Sequence, residues 1–477
     1  MAAAQLDTGD TAWILTSTAL VLLMTPGLAF FYGGLAREGH VLNTMMMSLI
    51  SMGVVAIAWS AVGFSLAFGN GGPLIGDLLH AGLHQELDGQ LWAPHKFPAL
   101  LFVAFQMCFA VVGAAIISGS VAERMRFSAW ILFIALWSVI VYAPICHWVW
   151  GGGWIEKLGA LDFAGGTVVH ETTATSALVL AVLLGPRSAR PAEPEPHNVP
   201  FVILGGGMLW FGWLGFNGGS AYGANNTAAL AVLNTCLAGA ASMIVWASLE
   251  RLRNKRTSAV GTMTGAIVGL VIATPGCGHV TPLGAVAMGA LGCLLAYPNF
   301  LLHHPRVDDT LDVFCCHGIS GFIGTMLTGI FARPSEFAKP SDDVVQARFK
   351  LLGAQLAGGL AAPAYAAVAT AALYFLISRF MRMRVPEEDE HGGVDAALHG
   401  EVAYRTPKPR AAGSGRPAQE LELGSPNGAL GDSPNPMAEC RASPQKNGTS
   451  ASTAAPPRHW GTDDVPSTAA AAVREEP

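Results

Sequence analysis

Charge is scarce in this chain. Asp, Glu, Lys and Arg supply 13% of its 477 residues, against about 25% in ordinary soluble domains. That deficit excludes a protein whose whole surface faces water. The eight cysteines form no CxxC pair, and Cys108, Cys146, Cys236, Cys293 and the Cys315–Cys316 pair lie inside or beside apolar runs. They read as small buried hydrophobes, with no disulfide framework, metal cluster or cofactor to be expected. The opening "MAAAQLDTGD" has acids but no Lys or Arg, so it lacks the basic region of a secretory signal. The net charge of −6 decides little, and no nucleic-acid partner is expected.

What remains is apolar. Hydrophobic residues make up 52% of the chain and the mean hydropathy is +0.43. Runs of about 20 such residues match a hydrocarbon core about 30 Å thick. They lie near residues 11–35, 43–68, 98–121, 127–150, 163–186, 199–220, 226–249, 258–274, 282–302, 313–332 and 351–380. The fold class is therefore an all-α membrane protein with eleven transmembrane helices embedded in a lipid bilayer. An odd count puts the termini on opposite sides. Arg37, Arg124, Arg126, Arg187, Arg190, Arg251, Arg253, Lys255, Arg256, Arg306, Arg379, Arg382 and Arg384 would share one side. The other holds Lys96 and Lys157 until a mixed loop near residue 335. The positive-inside bias then sets the N-terminus outside and the C-terminus inside. The expected organisation is an extracellular start over 1–10, a transmembrane domain over 11–384 and a cytoplasmic docking segment over 385–404. A disordered tail is expected over 405–477, where Pro, Ser, Gly and Ala dominate.

Two apolar runs carry ionisable groups. In "DFAGGTVVH", Asp162 precedes His170 by eight residues; in "RVDDTLDVFCCHG", Asp312 precedes His317 by five. Spans 5 and 10 enter from opposite faces, so spans 1–5 and 6–10 form an inverted repeat, with a shared site near mid-depth. At 1.5 Å per helical residue, His170 lies about 12 Å beyond Asp162, and His317 about 12–14 Å beyond Asp308 and Asp309. The aspartates suit helix N-caps. Ionisable groups at this depth are costly and mark a pathway. Glu171 points about 100° away from His170 around a helix, which suits a neutral or paired acid at a helix or subunit contact. "HETTA" has Ala174 where a zinc peptidase needs its second His.

The strings "PGLAFFYGGL", "AFQMCFA", "SVAERMRFSAWILF", "HWVWGGGW", "DFAGGTVVH", "WFGWLGFNGGS" and "DVFCCHG" resemble the ammonium transporter (Amt/Mep/Rh) family. The likeness runs from about residue 11 to 404 and is nearest to bacterial and cyanobacterial members of the Amt branch. It implies a homotrimer, not an enzyme, with a conduit for ammonium or ammonia through each protomer. It also implies recruitment at Phe105, Phe109, Trp150 and Ser220, a gate of Phe109 and Phe216, and a pore lined by His170, His317 and Trp213. Asp162 matches an acid needed for transport. Trp150 and Phe216 favour an Amt transporter over an Rh-type channel. Residues Gly393, Asp395, His399, Gly400 and Tyr404 match the family's docked tail, through which a cytoplasmic regulator would act. Ala397 stands where plant members carry a phosphorylated Thr, so that switch is not expected. The resemblance gives no role to Glu171.

The chemistry is coherent. Ammonium is close to potassium in size but can release a proton, and neutral ammonia escapes most of the cost of carrying charge into hydrocarbon. Neutral imidazole offers one donor and one acceptor, which suits ammonia or a relayed proton. An electroneutral Rh-like conduit for ammonia or carbon dioxide, and an ammonium receptor signalling through the tail, are the alternative readings.

Overall fold

The computed structural model describes residues 5–83, 87, 89–188, 196–302 and 307–404. Eleven apolar helices lie among them: α1 Thr8–Leu35, α2 Glu38–Phe68, α3 Ala99–Val121, α4 Phe127–Lys157 (with a turn at 151–153), α5 Gly166–Leu184, α6 Val199–Gly219, α7 Asn226–Asn254, α8 Ala259–Ala273, α9 Pro282–Leu301, α10 Phe314–Phe331 and α11 Val344–Ser378. Ten are long and apolar enough to cross a membrane. The fifteen residues of α8 rise only about 22 Å as a helix, so this run alone falls short of a spanning length. Among the described residues there is no β-strand, only isolated bridges. The expected disordered tail beyond residue 404, and the bases Arg190 and Arg306, lie outside the described residues. By contacts the chain forms two units, Met1–Pro407 and Lys408–Pro477, and all eleven helices belong to the first.

Polar side chains set where several helices begin. Asn198, Asn225, Ser258 and Thr281 each accept a first-turn amide of α6, α7, α8 and α9, and each satisfies a donor that the helix itself cannot. Asp343 does the same for the amides of Val345 and Gln346. That cap starts α11 at Val344, about two turns before the apolar run alone suggests.

The first and sixth helices, equivalent in the expected repeat, meet along glycines. A methyl group added at Gly205 would lie 2.2 Å from the Phe31 nitrogen, and one at Gly212 would lie 2.3 Å from Met24 Cγ. Backbones in apolar surroundings approach this closely only where side chains vanish. The third and fifth helices, which carry the gate and pore motifs, are the most enclosed.

One face of the bundle is tied by buried ions. The Arg187 guanidinium donates to Asp308 at 2.8 Å and to Glu123 at 2.8 Å, and Arg37 reaches the same Glu123 oxygen at 2.7 Å. Burial alone would raise the Asp308 pKa, but the Arg187 hydrogen bonds and charge outweigh it and hold the group at about 2. Against this face pack two short helices, α12 Glu387–Gly392 and α13 Val394–His399. Asp395 accepts the amides of Leu42 and Asn43 at 2.9 and 2.8 Å. His399 Nε2 lies 3.0 Å from Asn43 Oδ1. Glu390 pairs with Arg384 and takes the Ser188 hydroxyl, and Tyr404 meets His197.

Arg187→Gln leaves two buried carboxylates short of their shared cation. Its expected cost is about 3–5 kcal/mol, read as a lower melting temperature in detergent. The stabilisation that Asp308 contributes is present above the ordinary carboxylate range. It is lost as pH falls toward about 2, so an acid titration of the melting temperature should lose this component in Asp308→Asn.

Candidate functional site

The fifth helix does not begin at Asp162. The Asp162 carboxylate accepts four backbone amides, with Oδ1 on Gly165 and Gly166 at 3.0 and 2.6 Å and Oδ2 on Thr167 and Val168 at 2.9 and 3.0 Å. To wrap around one carboxylate the chain turns through Gly165 at φ +112°, where an added methyl would also sit 2.7 Å from Val169 Cγ2. The helix starts at Gly166, four residues later than the rise from Asp162 assumes. Its first turn is π-helical over Gly166–Glu171 and contains His170. The tenth helix repeats the device. It opens with a π-helical turn over Phe314–Ile319 that contains His317, and π turns are frequent at functional sites. Here Asp309, not Asp312, accepts the leading amide, that of Phe314, at 2.6 Å. Asp312 instead makes the bend itself, at φ +54°.

These two starts bring the histidines together. His170 Nδ1 and His317 Nδ1 lie 3.2 Å apart, with ring centroids 5.2 Å apart and planes inclined by 23°. Between neutral rings, one Nδ1 donates and the other accepts, so the two tautomers differ. Trp213 stacks on His170 at 5.5 Å and is itself fixed by donation from Nε1 to Thr274 Oγ1 at 2.9 Å. His170 Nε2 is buried and has no protein partner. Both histidines and Trp213 line a cavity of about 190 Å³ with apolar walls from Leu28, Val112 and Leu209, which reaches Glu123 and Arg187 at the tail-bearing face.

At the other end of this cavity stand Phe109 and Phe216, with ring centroids 4.2 Å apart, inclined by 33° and fully buried. They close the way. Trp150 meets Phe109 edge-on at 6.0 Å and donates from Nε1 to the Asp162 carbonyl at 2.7 Å. A mouth cavity of about 440 Å³ is lined by Trp150, Asp162, Phe102, Tyr222 and His279, among others. Phe105 packs beneath it, buried against Phe109 at 4.9 Å. The Ser220 hydroxyl donates to the Phe216 carbonyl at 2.8 Å, which leaves its lone pairs free to accept. The four residues expected to recruit substrate thus divide. Trp150 lines this cavity, while Phe105, Phe109 and Ser220 are buried outside its lining.

Glu171 lies at a helix contact, buried between the fifth and tenth helices. Its Oε1 accepts Thr325 Oγ1 at 2.7 Å and Thr167 Oγ1 at 3.3 Å. Its Oε2 has no hydrogen-bond partner and faces Gly359 of α11, where a methyl would stand 3.4 Å away. The two threonines and Thr274 carry neither charge nor pattern, so sequence reasoning passed over them. His279 was missed as well, because it lies in a loop between spans.

A bundle of long apolar helices around a cavity lined by two imidazoles defines a multi-pass membrane protein. Residues 12–404 match the model of the Ammonium Transporter Family. An ammonium transporter of Aquifex aeolicus is 44% identical over 405 residues, which cover 84% of this chain and 94% of that one. Among solved structures, Saccharomyces cerevisiae Mep2 is 34% identical with a TM-score of 0.74, covering 80% of this chain and 91% of its own. A structure named "Sensor Amt Protein" is 30% identical with a TM-score of 0.75, covering 82% and 98%. The chain belongs to the ammonium transporter family.

Asp162→Ala strands four first-turn amides, and charge-assisted bonds of this kind contribute about 1.5–3 kcal/mol each when a partner is lost. Thermal melts should show a large loss for Asp162→Ala. Asp162→Asn, which keeps one acceptor oxygen, should fall between it and the parent.

Proposed function

We propose that the chain recruits ammonium at the mouth bearing Trp150, takes its proton there and conducts ammonia past His170 and His317, with or without the proton following. The observation that supports this reading is the juxtaposition of two imidazoles at 3.2 Å in a narrow cavity that Phe216 also lines, with the Phe109 ring packed on Phe216. Each part has a physical task. Aromatic faces attract a cation by about 0.5–2 kcal/mol each, which suits Trp150 and Phe109. A charge at mid-membrane costs from about 2.5–3.5 kcal/mol on insertion scales to about 10–17 in simulations, so potassium and sodium are refused where ammonia passes. The imidazoles offer ammonia, or its proton, a donor and an acceptor in place of water.

The mouth is read as extracellular and the face bearing α12 and α13 as cytoplasmic. The gathering of Arg37, Arg124, Arg187 and Arg384 at the second face supports that orientation. A homotrimer with one conduit per protomer belongs to the same reading and is tested by crosslinking in native membranes. The sensor name of one relative, together with the packing of residues 385–404 on the bundle, favours a second reading, in which ammonium occupancy is signalled through the tail. Signalling that survives in a variant that binds but does not transport would support it.

Expressed in cells that lack their own transporters, the chain should restore uptake of ammonium or methylammonium. Proton-transfer groups contribute about 10²–10⁴-fold, so His170→Ala should abolish measurable uptake, as should Phe216→Ala through loss of the gate. Normal uptake in both would sink the pore assignment. Current recorded under an ammonium gradient separates the modes, since flux without current means that ammonia moves alone.

A further inference from the structure

The mouth cavity holds a histidine whose hydrogen bonding the conduit does not use. His279 stands in the loop between the eighth and ninth helices and lines the same cavity as Trp150 and Asp162. Its Nδ1 lies 2.9 Å from Glu336 Oε2. A carboxylate can only accept, so Nδ1 carries the hydrogen and the neutral ring keeps its lone pair on Nε2. Glu336 is itself committed, since Oε1 takes Arg333 Nη2 at 2.7 Å. Its pKa is held below the usual range chiefly by the His279 hydrogen bond; burial opposes this, and the charges of His279 and Arg333 add to the lowering. The Arg333 amide also donates to the His279 carbonyl at 2.9 Å. Phe163, next to Asp162, meets the imidazole edge-on at 5.2 Å. Loop, carboxylate and aromatic ring together fix the imidazole in place.

We propose that His279, oriented by Glu336, is an ammonium-accepting group at the mouth, receiving an N–H of the cation on Nε2 before the Phe109–Phe216 gate. This rests on the reading of the chain as an ammonium transporter. The other titratable and charged groups around the ring are Glu156, Asp162, His95 and Tyr222 of the cavity, with Arg333 and Glu336 behind it.

The test is ammonium chloride binding to purified full-length protein by calorimetry, beside methylammonium uptake in cells. His279→Gln should weaken binding about fivefold at pH 7.5, the loss of one charge-assisted hydrogen bond near solvent. In Glu336→Gln the amide can donate as well as accept, so the ring is no longer held with its hydrogen on Nδ1 and binding should weaken, by less than in His279→Gln. A merely structural role does not weaken ammonium binding while the thermal melt is unchanged. Binding curves that superimpose on the parent's in both variants, or a parent that binds no ammonium, overturn the proposal. Binding with these shifts but without uptake instead overturns the transport reading.

Discussion

Four amides on one carboxylate decide where the conduit lies. By collecting the N–H groups of residues 165–168, Asp162 ends the extended approach and starts the fifth helix at one particular residue. The azimuth of His170 follows from that start, and so does the carbonyl on which the Trp150 indole rests. The placing of His170 and the seat of the Trp150 indole are therefore indexed to a single residue. A helix N-terminus in apolar surroundings needs an acceptor, and here that need also sets the geometry of the conduit.

The same economy governs charge. The described part of the bundle places its buried guanidinium–carboxylate pairs at one face, where Arg187 bridges Glu123 and Asp308. The conduit is left with imidazoles, an indole and phenyl rings. Glu171 is the exception, an acid inside the helical layer held by two threonine hydroxyls. It joins the two helices that carry the histidines, and its second oxygen faces Gly359 of α11.

Much of this was legible in the sequence. Long apolar runs read as helices because hydrocarbon thickness imposes a length, and an intramembrane His is conspicuous because it is expensive. Asp162 and His170 stood out on those grounds. The boundaries did not, for a physical reason. Whether a helix starts at residue 162 or 166 depends on how many amides one carboxylate gathers, a tertiary fact with no periodicity. Asp309 and Asp312 are indistinguishable as caps until the backbone shows that the second occupies the bend. The π turns, the threonine partners of Glu171 and the His279–Glu336 pair, which joins residues 57 positions apart, leave no local trace either.

Glycine seams of the kind between the first and sixth helices weld rather than hinge. With the Gly205 backbone pressed against that of Phe31, and Gly212 against Met24, no lubricating layer of side chains separates the two halves. Carriers that rock one repeat against the other need such a layer, because packed interfaces shift between discrete arrangements and do not slide freely. On the transport reading proposed above, a fused pair of helices would leave passage to the swing of a few aromatic rings, a rotamer motion faster than the travel of whole domains.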